Sequence, residues 1–255
     1  MGDEARAAWA APVARRRLGI ITGAGPEAGL DLWSKMLAAN RAMLGAAYRG
    51  DLDAPDVTVF SVPELGLAMD LEGNEERLWE VLRQTLLTMD AAGVDLFCIA
   101  CNALHYYADR IADLQLNARF VSIVDAVRAY LQAEGVEEAA ILSISRVMAL
   151  DRWSAYTPLA RDVRLETPEE PALLDEIIQC VKRYGPQRAE TFGKFARVLE
   201  GLRAPVVLLA CTELPLIPTT QRDKTLVDVT AVLARTMVKA SLSAPDVESV
   251  GEGGL

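Results

Sequence analysis

The sequence predicts an α/β protein of two pseudo-symmetric domains, each a mostly parallel sheet flanked by helices, with an active-site cleft between them. Three observations carry this expectation. Short apolar runs without alternation are interleaved with segments of helical periodicity, the pattern of parallel strands covered on both faces. Two of those runs end alike: Ile99-Ala-Cys-Asn-Ala-Leu104 lines up with Leu209-Ala-Cys-Thr-Glu-Leu214, so two half-chains share one plan. The chain has 255 residues, 51% of them hydrophobic, which is ample for a core in each half.

In order, residues 18–22 form the first strand, residues 23–29 a glycine-rich turn, and residues 30–44 a helix with Leu30, Trp33, Met36 and Leu37 at helical spacing. A strand at 57–62 precedes an irregular stretch at 63–74. A helix at 75–92 carries Leu78, Val81, Leu82, Leu86 and Met89 inward and ends before Gly93. A strand at 94–100 delivers Cys101, and a helix runs on through Tyr106 and Ile111. The second half opens with an entry segment at 120–124, a helix at 125–134 and a strand at 139–143. A loop at 144–147 leads into a helix through Trp153 and Tyr156. A short strand at 163–166, helices at 170–184 and 188–202, a strand at 206–210 carrying Cys211, and a helix at 228–242 complete it. The first domain is expected over 18–117 plus 223–242, the second over 118–222. Residues 1–17 and 243–255 are expected to be flexible ends, with a short helix within 4–11.

A net charge of −10 argues against nucleic acid or an anionic membrane as partner, since either calls for a basic patch. The arginine triplet at 15–17 precedes an apolar run too short and too interrupted by glycine for a signal sequence or a membrane span. Four cysteines without a secretory signal then read as reduced thiols in a cytoplasmic protein. His105 is the one histidine, so no cluster with metal-ligand spacing exists and no metal is expected.

The turn Gly23-Ala-Gly-Pro-Glu-Ala-Gly29 superficially matches a dinucleotide fingerprint. That motif requires an acidic residue at the end of the second strand, and Glu64 comes far too late. Pro26 also removes a backbone N–H that could meet a phosphate. A small anion such as a carboxylate at Gly23, Ala24 and Gly25 is the better expectation.

Ligands of open α/β sheets bind outside the carboxyl ends of strands, where Cys101 and Cys211 both fall. A thiol at a helix start is also more acidic than a free one. Two such thiols facing one cleft would suit removal of a proton from one side of a carbon and its return to the other, which is racemisation by two bases. Cys98 and Cys180 lie inside elements and read as small buried hydrophobes. Cys98 and Cys101 have the C-x-x-C spacing, but the first sits within a strand rather than at a helix start, against a redox pair.

The chain resembles the aspartate/glutamate racemase family. Thr22-Gly-Ala-Gly-Pro-Glu-Ala-Gly29 stands in place of the family's Gly-Gly-Met-Gly-Pro-x-Ala-Thr, Cys101-Asn-Ala-Leu-His105 in place of Cys-Asn-Thr-Ala-His, and Ala210-Cys-Thr-Glu-Leu-Pro215 in place of Gly-Cys-Thr-Glu-Leu-Pro. The resemblance implies a two-domain pseudo-symmetric fold, chemistry without pyridoxal phosphate or another cofactor, and Cys101 and Cys211 as the acid/base pair. It further implies substrate contacts at Asn102, Ala103 and Thr212, and a homodimer. Glu213 reads either as a helper carboxylate or as a helix-start acid, and His105 as a helper for Cys101 or a core histidine.

Departures from the family bear on the substrate. Ala68 stands near the position of an expected carboxylate-anchoring arginine, and Pro171-Ala172 where a lysine is expected. Ser145-Arg-Val147 replaces a Thr-Gly-Thr loop, so Arg146 is a candidate replacement cation. A buried dicarboxylate needs two cationic or N–H-rich pockets, so an amino acid with a neutral or apolar side chain is the expected substrate. The alternatives are a one-thiol decarboxylase or isomerase on the same fold, and a non-catalytic small-molecule binder.

Overall fold

The strands form where apolar runs can be covered from both sides. The computed structural model of the protein describes residues 15–219 and 223–243; the helix expected within 4–11 and the tail beyond 243 lie outside the described residues. The first half comprises β1 (Leu18–Thr22), α1 (Pro26–Leu44), β2 (Val57–Ser61), α2 (Glu75–Ala91), β3 (Leu96–Ile99), α3 (Ala108–Ala112), β4 (Arg119–Phe120) and α4 (Ile123–Ala133). The second comprises β5 (Glu138–Leu142), α5 (Ser145–Met148), β6 (Arg164–Glu166), α6 (Pro171–Tyr184), α7 (Ala189–Gly201), β7 (Val206–Leu209), β8 (Thr225–Asp228) and α8 (Val229–Leu242).

Each half holds a four-stranded, wholly parallel sheet, ordered β2-β1-β3-β4 in the first and β6-β5-β7-β8 in the second. The common order is the pseudo-symmetry that the repeated cysteine motif foreshadows. The central strands are buried throughout in β1 and β3, whereas the edge strand β2 is half-exposed. In both sheets the chain reverses its winding between the two central strands, and the crevice at that switch point is where such sheets bind ligands. Among the described residues no helix is long and apolar enough to cross a membrane.

Several elements differ from expectation for local reasons. β8 pairs with β7 and β4 with β3, so these strands join the sheets opposite to those implied by boundaries at 118 and 223. Helix α8 then leaves the second sheet and packs back on α1 and α4, knitting the halves together. On α1 the buried face is Ala28, Leu32, Met36, Ala39 and Asn40, while Leu30 and Trp33 are exposed; small residues let α8 approach closely. No helix runs through Trp153 and Tyr156. There Asp151 accepts from the Trp153 N–H at 2.9 Å and the Thr157 hydroxyl donates to the Asp151 carbonyl at 2.6 Å, local bonds that replace the helical ladder. Residues 15–17 are pinned rather than loose: Arg15 donates to Asn40 Oδ1 and the Asp53 carbonyl, and the Arg17 N–H donates to Asp95 at 2.6 Å.

Candidate active site

The carboxyl ends of all four central strands open on one cavity, with about 320 Å³ of atom-free space, part of it open to solvent. β1 contributes Ala24 through the glycine turn, β3 contributes Cys101, Asn102 and Ala103, β5 contributes Ser143 and Ile144, and β7 contributes Cys211, Thr212 and Glu213. Gly66, Ala68 and Met69 close one wall, and Lys182 of α6 enters from another. The two sulfurs therefore share a chamber.

The turn after β1 is shaped by steric need. Gly23 has φ 118°, and a Cβ there would lie 2.1 Å from the Val62 carbonyl oxygen; Gly25 has φ 126°, and a Cβ there would lie 2.2 Å from Glu213 Oε1. Neither position admits a side chain. Gly23 and Gly25 face an adjoining cavity that Lys182 also borders. At this turn the Ala24 carbonyl accepts from Lys182 Nζ at 2.5 Å, so a cation stands beside Gly23 and Gly25.

Lys182 is the residue that sequence reasoning missed. The cation expected at the start of this helix arrives instead from its last turn, and it bridges Ala24 and the Glu213 carboxylate. Burial pulls its pKa down, but Glu213 and the two thiols together hold it above the ordinary lysine value, so it is charged. Glu213 is 3% exposed, and its other oxygen accepts from the Cys211 thiol at 3.0 Å and from the Thr212 hydroxyl at 3.2 Å. Glu213 thus bridges the lysine and a cysteine.

The thiols are not acidified by helix starts as expected. A 3-10 turn, Ala103–Tyr107, follows Cys101 in place of an α-helix, and another, Leu214–Leu216, follows Cys211. Burial raises both pKa values. For Cys101 the rise is opposed by Lys182 and by the Leu104 and Ala103 N–H groups; for Cys211 the Glu213 charge adds to burial and the thiol lies well above its ordinary value. Of the two, Cys101 is the readier to ionise.

His105 does not reach a sulfur. Its Nδ1–H donates to the Cys101 carbonyl at 2.9 Å, and Nε2 accepts from the Ile123 N–H, the first of α4, at 3.0 Å. With both nitrogens on backbone, the ring clamps the Cys101 loop to α4. Burial holds its pKa down to about 4, so it is neutral at pH 7. Arg146 likewise stands outside the chamber. It bridges Glu72 at 2.7 Å and Asp151 beside a neighbouring cavity, so it is no replacement anchor for a carboxylate in the chamber. Asn102 is buried, its Oδ1 accepts from the Tyr156 hydroxyl at 2.6 Å, and its Nδ2 has no hydrogen-bond partner among the described residues. Among the described residues no group of three His, Cys, Asp or Glu is placed to hold a metal ion.

The family model described as Asp/Glu/Hydantoin racemase matches residues 21–237. The chain belongs to that family. No curated protein sequence matches it. Among solved structures, an aspartate racemase of Picrophilus torridus superposes with a TM-score of 0.74 at 20% identity, covering 88% of this chain and 94% of that one. An aspartate racemase homologue of Pyrococcus horikoshii gives 0.66 at 25% identity over 88% and 98%. A glutamate racemase of Campylobacter jejuni subsp. jejuni gives 0.62 at 13% identity over 87% and 85%. The two-sheet architecture is therefore that of the Asp/Glu racemases.

Proposed function

We propose that the protein is a cofactor-independent racemase or epimerase of a small amino acid with a neutral side chain, working through Cys101 and Cys211. The observation that carries this reading is that both sulfurs border one cavity at the switch points of matching sheets. In the resting site Cys211 is a thiol hydrogen-bonded to Glu213, and burial holds Cys101 protonated as well. Cys101, where Lys182 opposes that rise, is the one that releases its proton to solvent as substrate binds and so supplies the thiolate. The Cys101 thiolate takes the α-proton, the C–H electron pair remains on carbon, and the Cys211 S–H returns a proton to the opposite face. The reverse reaction exchanges the roles, so protons balance without a co-reactant.

Both thiols are raised by burial, so ionisation must be compensated inside the site. Lys182 provides one positive charge, and the substrate ammonium provides a second on binding. Deprotonation is thereby tied to occupancy. The negative charge that develops on the substrate carboxyl as the α-proton leaves is met by Lys182 and the free Asn102 Nδ2. The substrate class follows from the wall of Gly66, Ala68, Met69 and Ile144, which offers no charge to a second carboxylate.

Solvent deuterium exchange tests the reading. Alanine, serine, aspartate and glutamate of both hands are incubated in heavy water, and loss of the α-proton signal is followed by NMR. Exchange with alanine or serine, abolished by C101S and by C211S, is the expected result. 5-Methylhydantoin carries alanine's α-carbon with no carboxylate and reports whether Lys182 requires one. Preferential exchange of aspartate or glutamate would overturn the substrate class, and exchange that survives either cysteine substitution would overturn the two-thiol mechanism.

A further inference from the structure

Asn102 is a buried amide with one end satisfied and the other open, and the group that satisfies it comes from the opposite half of the molecule. Tyr156 is fully buried between α5 and β6, and its hydroxyl donates to Asn102 Oδ1 at 2.6 Å. Asn102 is itself 3% exposed and lines the cavity, with Nδ2 unpartnered among the described residues. A buried donor without an acceptor is costly, so its persistence beside a cavity points to a ligand that completes it.

We infer that Tyr156 is a positioning residue: its phenol holds the Asn102 amide with oxygen turned away and NH2 turned into the cavity, which makes the cavity select an acceptor oxygen on its ligand. An amide has two ends of similar shape, and without a fixed neighbour it can present either. A phenol that donates to Oδ1 decides the matter. The cavity's own chemistry agrees, because the Glu213 carboxylate and the sulfurs are acceptors or anions and would repel an inward-facing amide oxygen. Burial and the nearby Cys211 hold the Tyr156 phenol far above its ordinary pKa, so it remains protonated and keeps donating. The bond also spans the halves, and the Tyr106 ring packs at a tilt against Trp153, with ring centroids 4.9 Å apart, to fix the same loop against the first half.

This inference rests on the proposed racemase reading only for the identity of the acceptor, a substrate carboxylate, and it can be tested without turnover. The probe is acetate, titrated into asparagine-15N-labelled protein, with the Asn102 side-chain NH2 signal assigned by its absence in N102A. The expected result is that acetate moves this signal in the wild-type protein. Y156F should weaken acetate binding about tenfold, the scale of one hydrogen bond, and N102A comparably. The Y156F/N102A protein should bind acetate no more weakly than N102A, because Tyr156 acts through Asn102. Additive losses, undiminished binding by Y156F, or an Asn102 signal that acetate does not move would overturn the inference. If Y156F fails to fold, N102D decides: it keeps an oxygen for the phenol and replaces the inward NH2 with a second oxygen, so acetate binding should be lost at an unchanged melting temperature. Retained binding by N102D would equally overturn the inference. Failure of exchange with every amino acid, alongside a positive acetate result, would count against the racemase reading alone.

Discussion

Lys182 Nζ lies between the Ala24 carbonyl, 2.5 Å away, and the Glu213 carboxylate, so one ammonium ties the turn after β1 to the strand end that carries Cys211. The lysine favours both thiolates, while Glu213 opposes them. Removing the cation leaves burial and Glu213 opposed at Cys101 only by the Leu104 and Ala103 N–H groups. K182M should therefore move the alkylation of Cys101 by iodoacetamide to higher pH, read by peptide mapping across a pH series. Any racemisation should fall about a hundredfold, the scale of losing a charge that stabilises a transition state. Alkylation of Cys101 at an unchanged midpoint would separate Lys182 from thiol chemistry.

His105 gives a pH signature that no other histidine can confuse, since the chain has only one. Its pKa is lowered to about 4 by burial, against an ordinary 6.5. The unfolded chain therefore binds a proton as pH falls through 6.5 while the folded protein does not. The associated stability is complete above about pH 6.5, is lost progressively down to about pH 4, and amounts to roughly 3 kcal/mol. Urea unfolding across this window should show wild-type stability falling more steeply than that of H105N. Parallel pH dependences would mean that the ring is not held neutral.

Gly25 sits where a methyl group has nowhere to go. Its φ of 126° is unfavourable for any L side chain, and the added carbon would meet Glu213 Oε1 at 2.2 Å. G25A should lower stability by about 1–3 kcal/mol through backbone strain. It should also impair activity beyond that, because Glu213 must move away from Lys182 and Cys211. Chemical denaturation and deuterium exchange, measured together, separate the two effects. Activity unchanged at reduced stability would show that the Glu213 bridge can shift without consequence.

Different parts of the site leave different traces in the sequence. The cysteines are legible because each directly follows an apolar run, and a parallel strand delivers whatever follows it to the ligand-binding edge. Lys182 is not legible in this way. It stands beside Arg183 in the last turn of a helix, where cations are favoured by the helix dipole whatever else they do. Only the packing of α6 against the Gly25 turn turns one of the two inward. The Trp153 to Tyr156 segment misleads for another reason: aromatic spacing suggests a helix, while Asp151, Ser154 and Thr157 divert the backbone into turns. His105 lies close to Cys101 in sequence, yet its ring turns away from the sulfur to meet α4. Sequence proximity identifies the loop but not the direction of a side chain. β8 escapes notice because its four residues, Thr225–Asp228, have polar ends, follow polar sequence and run straight into α8.

Ala68 offers the most direct test of substrate choice. It is 3% exposed and forms part of the uncharged wall facing the sulfurs, near the position where the family resemblance leads one to expect arginine. A dicarboxylate in this chamber would leave its second carboxylate without a cation, and an unpaired buried carboxylate is strongly disfavoured. An arginine at this position would supply a fork-shaped donor suited to a carboxylate, although its bulk must be accommodated in a small space. A68R should therefore lose exchange with alanine and gain it with aspartate, moving the ratio of the two rates by at least about tenfold, the scale of one charge-assisted hydrogen bond. A68M serves as the control for bulk, because it fills the space without charge and should lose alanine exchange with no gain for aspartate. If A68R and A68M behave alike, with the fold intact by circular dichroism, volume and not charge sets the specificity of this wall.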